Sequence, residues 1–185
     1  MSELWIVRHG PTEWSLSHRH TSHTDLPLVP EHEDDARSLA PRLADVDFAQ
    51  VITSPRQRAR RTAELAGFPD AEVCDDLVEW DYGDYEGRTT EDIRTEVPDW
   101  TVWTHPVPGG ESAGDVSARL DRVVARAEQA GGPVLAFAHG HSLRALAARW
   151  LELPVSEGRR LRLDTATLSV LGWERGTRVV LRWNS

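Results

Sequence analysis

Two short apolar segments of this chain each end in a histidine followed by a glycine. Residues 4–7 run directly into Arg8 and His9, and residues 134–138 run directly into His139. Short apolar runs separated by helical patterns are typical of parallel strands, whose carboxyl ends lie at one edge of a sheet and hold ligands there. We therefore expect both histidines in one pocket. The fixed charge of Arg8 favours an anionic ligand in that pocket.

The pattern of apolar residues predicts a single α/β domain over residues 1–185. Five strands are expected, at residues 4–7, 51–53, 134–138, 167–171 and 179–183. Helices are expected at residues 36–43, where Pro41 should shorten the helix, and at 56–66, 113–129 and 143–150. Thr53 and Ser54 read as the cap of the second of these helices, with Pro55 in its first turn. Strands alternating with helices favour a mostly parallel sheet with helices on both faces, and a final antiparallel hairpin turning at residues 174–176.

Composition excludes several classes of function. The formal net charge of −9 argues against binding to nucleic acid or an anionic membrane, because both require a basic face. All 21 basic residues are arginine, so a Walker phosphate loop, a lysine Schiff base and a lysine general base are excluded. Cys74 is the single cysteine, which excludes an internal disulfide and a thiolate metal cluster. Without an apolar run of the roughly 20 residues that a membrane span needs, we expect a cytoplasmic protein with a small-molecule partner.

Residues 79–110 form the irregular part of the chain. This segment is rich in Trp, Asp, Gly and Pro, and it lacks a helical or strand pattern of its own. Segments of this kind inside a compact domain are commonly functional loops, so we expect a lid over the carboxyl edge of the sheet. Its aromatic residues are expected to pack the lid onto the body or to line the pocket; they are Trp80, Tyr82, Tyr85, Trp100 and Trp103.

The basic stretch at residues 56–61 follows the second predicted strand. Its arginines spread around a helix and form no continuous surface for nucleic acid. One of them, near position 58, is instead expected in the strand-end pocket beside Arg8. Guanidinium groups bind phosphoryl oxygens through paired hydrogen bonds, and neutral His9 is a nucleophile at phosphorus. The chemistry indicated is phosphoryl transfer through a phosphohistidine, with no metal or other cofactor.

A leaving alkoxide needs a proton, and Glu79 at the start of the lid is the candidate donor. Its neighbour Trp80 and an adjacent phosphate dianion are expected to favour the acid form of this carboxyl group. An exposed loop carboxylate without a catalytic role is the alternative interpretation of Glu79.

Four segments together resemble the signature motifs of the histidine phosphatase superfamily, the phosphoglycerate mutase-like proteins. They are LWIVRHGPTEWS at residues 4–15, TDLPL at 24–28, TSPRQRARRTAELAG at 53–67 and FAHGHSLRALAARWL at 137–151. The resemblance covers essentially the whole chain and implies the three-layer fold of that family. It also selects Arg58 over Arg56 and Arg60, because the Arg58-Ala59 step matches the second arginine motif of the family.

The resemblance implies a role for each matching residue. His9 is the residue that is phosphorylated, and Glu79 is the general acid. The phosphoryl group is expected to be bound by Arg8, Arg58, His139, Ser15 and Gly140. Substrate contacts are expected from Ser22 and Tyr82.

Two departures from the family pattern bear on the reaction. Ser15 stands where many members have asparagine, and Trp80 stands where the glycolytic mutases have an arginine. The long insertion of those mutases is also missing, which favours hydrolysis over the mutase reaction. The stretch EWDYGDYEG at residues 79–87 is most similar to actinobacterial acid phosphatases and to fungal sedoheptulose bisphosphatase.

The expected function is hydrolysis of a small phosphorylated metabolite, such as a sugar or polyol phosphate. A phosphoglycerate mutase and a non-catalytic phospho-ligand binding protein are the alternatives. The choice between a monophosphate and a bisphosphate substrate stays open, as does the oligomeric state. Candidate ligands for a second phosphate are Arg19, His20, His23, Arg88 and His105.

Overall fold

The computed structural model describes residues 2–185; Met1, which the predicted domain includes, lies outside the described residues. The strands are β1 (Leu4–Arg8), β2 (Gln50–Thr53), β3 (Glu72–Val73), β4 (Val134–Ala138), β5 (Leu168–Glu174) and β6 (Thr177–Arg182). They form one six-stranded sheet in the order β3-β2-β4-β1-β5-β6. Strands β1 to β4 are parallel to one another, and β5 pairs antiparallel with both β1 and β6. The predicted mostly parallel α/β sheet is confirmed. The sequence analysis missed β3, because this exposed two-residue strand has no apolar pattern.

The helices flank the sheet and alternate with its strands. They are α1 (Glu13–Leu16), α2 (Glu33–Arg37), α3 (Ala40–Leu43), α4 (Gln57–Leu65), α5 (Thr90–Arg94), α6 (Ala113–Gln129) and α7 (Gly140–Trp150). The predicted bounds of α6 are confirmed. Among residues 2–185, no helix combines the length and apolar character that crossing a membrane requires.

Three predicted helix boundaries are wrong. The helix expected at residues 36–43 is two short helices, because Pro41 lies in the first turn of α3 and starts a new helix there. Helix α4 begins after Arg56, whose side chain makes no capping bond, so the predicted cap at Thr53 and Ser54 is wrong. Helix α7 begins at Gly140, directly after the extended backbone of His139, and is therefore longer than the predicted 143–150.

Alternation along the two central strands divides the core into two layers. On one face, Ile6 of β1 and Ala136 of β4 belong to the cluster that contains the buried residues of α6 and α7. On the other face, Val7 and Phe137 pack in a cluster with Leu43 of α3 and Ala63 of α4. All these side chains are fully buried. The sheet thus lies between two helical layers, which fixes its central strands and the residues at their ends.

The segment at residues 79–110 contains one 3₁₀ turn, Gly83–Tyr85, and the short helix α5, and is otherwise irregular. All five of its Trp and Tyr side chains are buried in the larger core cluster. The loop after α1 joins it through an isolated bridge between Arg19 and Thr89 and through two backbone bonds of His20, to Arg88 and Gly87. The lid is therefore packed onto the body and onto the first loop.

Candidate active site

The carboxyl ends of three neighbouring strands bring the two motif histidines together. In the order β2-β4-β1, the strands are followed by Ser54, His139 and His9. The backbone N–H of His9 donates to the carbonyl oxygen of Ala138 at 3.0 Å, so pairing continues to the point where the histidines begin. The ring centroids of His9 and His139 lie 5.3 Å apart. The two histidines therefore share one site.

The ring of His9 is held in one tautomer. Its Nδ1 lies 2.7 Å from the carbonyl oxygen of Gly10, and because a carbonyl can only accept, Nδ1 carries the proton. Burial, followed by the nearby charges of Arg58 and Arg8, lowers the pKa of His9 well below its ordinary value. His9 is therefore neutral at physiological pH, and its Nε2 keeps a free lone pair.

His139 is fully buried between an arginine and a serine. Nε of Arg58 donates to Nδ1 of His139 at 3.2 Å, which leaves the proton of the neutral ring on Nε2. This Nε2 donates to Oγ of Ser54 at 2.7 Å. Burial and the charge of Arg58 lower the pKa of His139 well below its ordinary value. The ring is thus a neutral donor, oriented by its two partners.

Arg8 has a buried donor without a partner. One terminal nitrogen donates to the carbonyl of Leu163 at 2.6 Å, whereas its Nε makes no hydrogen bond within residues 2–185. The guanidinium group lies against Gly140, where an added Cβ would stand 3.2 Å from both Cζ and Nε of Arg8. Burial lowers the pKa of Arg8, but a guanidinium keeps its charge at neutral pH. A partly buried cation with a free donor fits an oxyanion.

A cavity of about 210 Å³ opens beside these groups. The predicted site residues that line it are Arg8, His9, Ser15, Glu79, Tyr82 and Gly140. Arg58, His139 and Ser22 are not among its lining residues. The cavity walls therefore bring together a neutral imidazole, a guanidinium group and a carboxyl group.

Hydrogen bonds of Arg58 connect the loop after α1 to the site. Besides the bond to His139, its guanidinium group donates to the carbonyl oxygens of Thr24 at 3.0 Å, Thr21 at 3.1 Å and Ser22 at 3.3 Å. The same loop is held from the lid, because the carboxylate of Glu86 accepts the backbone N–H groups of Ser22 and Thr24. A phosphoryl contact from Arg58 or His139 stays a prediction.

Ser15 caps the short helix α1. Its hydroxyl accepts the N–H of Thr12 at 2.8 Å and donates to the carbonyl of Thr12 at 2.9 Å. Oγ1 of Thr12 in turn accepts the N–H of Ser15 at 3.2 Å, which completes a capping box. The Ser15 hydroxyl is thus hydrogen-bonded to the backbone of Thr12. Its contact with phosphate stays a prediction.

Glu79 reaches the first turn of α7. One carboxylate oxygen accepts the N–H of Ser142 at 2.7 Å and that of Trp80 at 2.9 Å, and the other accepts the N–H of His141 at 3.0 Å. Free amides at a helix N-terminus suit such a partner. The indole of Trp80 points elsewhere and donates to the carbonyl of Glu111 at 3.0 Å. The hydrogen bond from Trp80 to Glu79 therefore comes from its backbone amide, and the expected effect of Trp80 on the acid form of Glu79 stays a prediction.

Tyr82 and two histidines form an uncharged wall of the cavity. The hydroxyl of Tyr82 lies 2.5 Å from Nδ1 of His141, and the ring of His20 lies 4.6 Å from that of Tyr82. Burial raises the pKa of Tyr82 well above its ordinary value, and burial also lowers the pKa of His141 far below its own. For His20, burial lowers the pKa to about 4. All three groups are neutral at physiological pH and offer hydrogen bonds without charge.

His141 and Arg144 are among the cavity residues that the sequence analysis missed. His141 belongs to the second histidine motif, but nothing in the motif separates its role from that of His139. Arg144 also lines the cavity; it stacks on the ring of Trp103 at 4.8 Å and donates to the carbonyl of Gly158 at 3.1 Å. Its position one turn beyond His141 on α7 is the signal that would have found it.

The candidates for a second phosphate differ in their surroundings. Arg88 is paired with Glu96 at 2.6 Å, and His23 is paired with Asp81 at 3.1 Å. Nδ1 of His105 bonds within its own turn, to the backbone N–H of Thr101 and the hydroxyl of Thr104. The candidates that line the cavity are Arg19 and His20.

The model of the histidine phosphatase superfamily (branch 1) matches residues 4–185. The chain belongs to this superfamily. An acid phosphatase of Mycobacterium tuberculosis is 43% identical over 179 residues, which cover 95% of this chain and 88% of that protein. A sedoheptulose 1,7-bisphosphatase of Saccharomyces cerevisiae is 36% identical, over 82% of this chain and 68% of its own.

Solved structures agree with the sequence comparisons. An open reading frame of Mycobacterium tuberculosis superposes with a TM-score of 0.95 and 42% identity, over 99% of this chain and 97% of its own. A mycobacterial glucosyl-3-phosphoglycerate phosphatase in complex with VO₃ gives a TM-score of 0.86 and 27% identity, with both chains fully covered. The resemblance to this superfamily and the predicted fold are thus confirmed, and the chain is an enzyme of the histidine phosphatase type.

Proposed function

We propose that this histidine phosphatase hydrolyses small phosphate monoesters through a phosphohistidine at His9. The observation that carries the proposal is the tautomer of His9. Its Nδ1 proton is held by Gly10, so the lone pair of Nε2 is available in the same cavity as the free donor of Arg8. A neutral imidazole beside a guanidinium group combines the nucleophile and the charge stabilisation that phosphoryl transfer needs.

The reaction has two steps. Nε2 of His9 forms a bond to phosphorus while the bond from phosphorus to the ester oxygen breaks, and the Glu79 carboxyl group gives its proton to the leaving oxygen. Water then attacks the phosphohistidine, Glu79 takes up a proton from that water, and inorganic phosphate leaves. Arg8, Arg58, His139 and the N–H of Gly140 bind the phosphoryl oxygens in both steps. Because these groups supply the charge, we expect full activity in EDTA.

The proposed substrates are sugar or polyol phosphates. The uncharged wall of Tyr82, His141 and His20 offers hydrogen bonds that suit hydroxyl groups. Two relatives support the same class by their names, a sedoheptulose 1,7-bisphosphatase and a glucosyl-3-phosphoglycerate phosphatase. Cytoplasmic location belongs to this proposal, since phosphorylated sugars are made and consumed there.

A substrate panel tests the proposal. Phosphorylated sugars, polyols, bisphosphates and phosphoglycerates are compared by kcat/KM for phosphate release, with and without EDTA. Rapid quenching with a ³²P-labelled substrate should trap a phosphoenzyme that is labile in acid and stable in base. Interconversion of 2- and 3-phosphoglycerate faster than phosphate release would make the mutase alternative correct. Binding without turnover of any substrate would make the protein a phospho-ligand binding protein.

A further inference from the structure

A buried ion pair between Arg119 and Glu111 is hydrogen-bonded to the backbone directly before Glu79. Arg119, on the buried face of α6, donates to the two carboxylate oxygens of Glu111 at 2.8 and 3.0 Å. Its other terminal nitrogen donates to the carbonyl oxygens of Val78 at 2.8 Å and Asp76 at 2.9 Å. The guanidinium group of Arg119 therefore joins α6, Glu111 and the residue that precedes Glu79.

The same ion pair holds the backbone directly after Glu79. A carboxylate oxygen of Glu111 accepts the N–H of Asp81 at 3.0 Å, and the N–H of Glu111 donates to the carbonyl of Asp81 at 3.1 Å. The carbonyl of Glu111 also accepts the indole N–H of Trp80. Residues 78–81 are thus bonded on both sides of Glu79 to one pair of side chains, while the carboxyl group itself is held by α7.

The chemistry of the Arg119–Glu111 pair indicates that it orients the backbone to which it is bonded rather than stabilises the fold. The side chains of Arg119 and Glu111 are only 7% and 21% exposed, and apolar residues of equal volume stabilise a core as well as a buried ion pair or better. A guanidinium fork, in contrast, fixes the direction of each hydrogen bond. One helical turn away, Arg122 makes an exposed pair with Asp76 and does not bond residues 78–81.

We propose that the Arg119–Glu111 ion pair positions the carboxyl group of Glu79 for proton transfer to the leaving oxygen. This inference rests on the proposed role of Glu79 as the general acid. Neither Arg119 nor Glu111 is among the residues that line the cavity, so both act through the backbone of residues 78–81. A misplacement of about 1 Å in a reacting group costs on the order of 100-fold in rate.

The test compares two leaving groups in the variants Arg119→Lys and Glu111→Gln. Glycerol phosphate needs a proton on its leaving oxygen, whereas p-nitrophenyl phosphate does not. We expect kcat/KM to fall roughly 10- to 100-fold for glycerol phosphate and less than about 3-fold for p-nitrophenyl phosphate. Arg122→Lys is the matched control on the same helix and should change neither value. Thermal unfolding of each variant reports its stability separately.

Measuring the Glu79→Gln variant in parallel separates the proposed role of Glu79 as the acid from the proposed role of the ion pair. A selective loss in Glu79→Gln together with an equal loss on both substrates in the ion-pair variants would overturn the positioning role alone. An equal loss in Glu79→Gln itself would remove Glu79 as the acid, and the positioning role with it. If Arg119→Lys does not fold, the milder Glu111→Gln variant decides the question.

Discussion

The sheet edge that carries His9 and the lid that carries Glu79 differ in what fixes their geometry. At the sheet edge, β1 and β4 pair along their whole length and are buried between two helical layers. The positions of His9 and His139 follow from that pairing, because each is the next residue after a strand. His9 and His139 therefore rest on the backbone hydrogen bonds of two buried central strands.

The lid has no strand in the sheet and only one short helix, α5. Glu79 is placed by bonds to amides 62 and 63 residues away in the sequence and by the ion pair of Arg119 with Glu111. Side-chain contacts between distant segments are easier to change than a strand register. The proposed proton donor therefore depends on the Arg119–Glu111 ion pair, whereas the proposed phosphoryl site depends on strand pairing, so mutations of the ion pair should separate the two functions.

The largest effect is expected at the sheet edge, for His9→Ala. Turnover should fall on the order of 10⁴-fold or more, because the nucleophile is lost. The fall should be the same for alkyl and aryl phosphates, and the trapped phosphoenzyme should disappear. His32→Ala, which removes an exposed histidine paired with Asp35, is the control and should keep full activity. Normal turnover by the His9→Ala variant would contradict the phosphohistidine mechanism.

In the lid, Glu79→Gln should discriminate between leaving groups. General acid catalysis contributes about 10²- to 10⁴-fold, so kcat/KM for an alkyl phosphate should fall within that range. The loss for p-nitrophenyl phosphate should be much smaller, since p-nitrophenolate leaves without a proton. Equal losses on the two substrates would remove Glu79 as the general acid, and with it the distinct role of the lid.

Gly140→Ala should damage phosphate binding while sparing the fold. The added Cβ would stand 3.2 Å from the guanidinium group of Arg8, which must shift by a few tenths of an ångström. We expect a loss of roughly tenfold in kcat/KM, equal for both leaving-group classes, which corresponds to about 1.4 kcal/mol. The melting temperature should stay level or rise, because alanine is favoured over glycine in a helix.

Gly114→Ala in α6 is the matched control for that substitution. Its added Cβ would meet only Oγ of Ser112, at an ordinary 3.5 Å, so activity should not change. If Gly140→Ala also kept full activity, the close packing of Arg8 on Gly140 would have no part in phosphate binding.

The last expected effect concerns the stability of the fold as a function of pH and leaves the comparison of leaving groups unchanged. Burial lowers the pKa values of His9, His20, His139 and His141, that of His20 to about 4. The unfolded chain, with ordinary histidines of pKa about 6.5, binds more protons than the folded chain below that pH. The free energy of unfolding should therefore be highest above about pH 6.5 and decline as the pH falls toward 4. Melting temperatures across this range measure the decline, and in His20→Gln it should be shallower; a flat profile would mean that the buried histidines are protonated in the folded state.

The sequence by itself determined the sheet edge. Apolar runs that end in a histidine predict the central strands and their shared pocket, because strand burial and parallel pairing are local and periodic properties. The same patterns predict α6 with its bounds, since its apolar face repeats at helical spacing; the structure adds a cap at Ser112. The resemblance of four motifs to one superfamily added the choice of Arg58, which periodicity alone left open.

Only the tertiary structure decided how the lid meets the site. The hydrogen bonds of Glu79 to α7, those of Arg119 and Glu111 to residues 78–81, and the neutral contact of Tyr82 with His141 join segments 30 or more residues apart in the sequence, and no local pattern encodes them. The tautomer of His9 also depends on the direction of one backbone carbonyl, that of Gly10. The periodicity of apolar residues predicts which face of a helix or strand is buried. It does not predict which polar groups form hydrogen bonds across loops, because those partners depend on how the packed core positions each group.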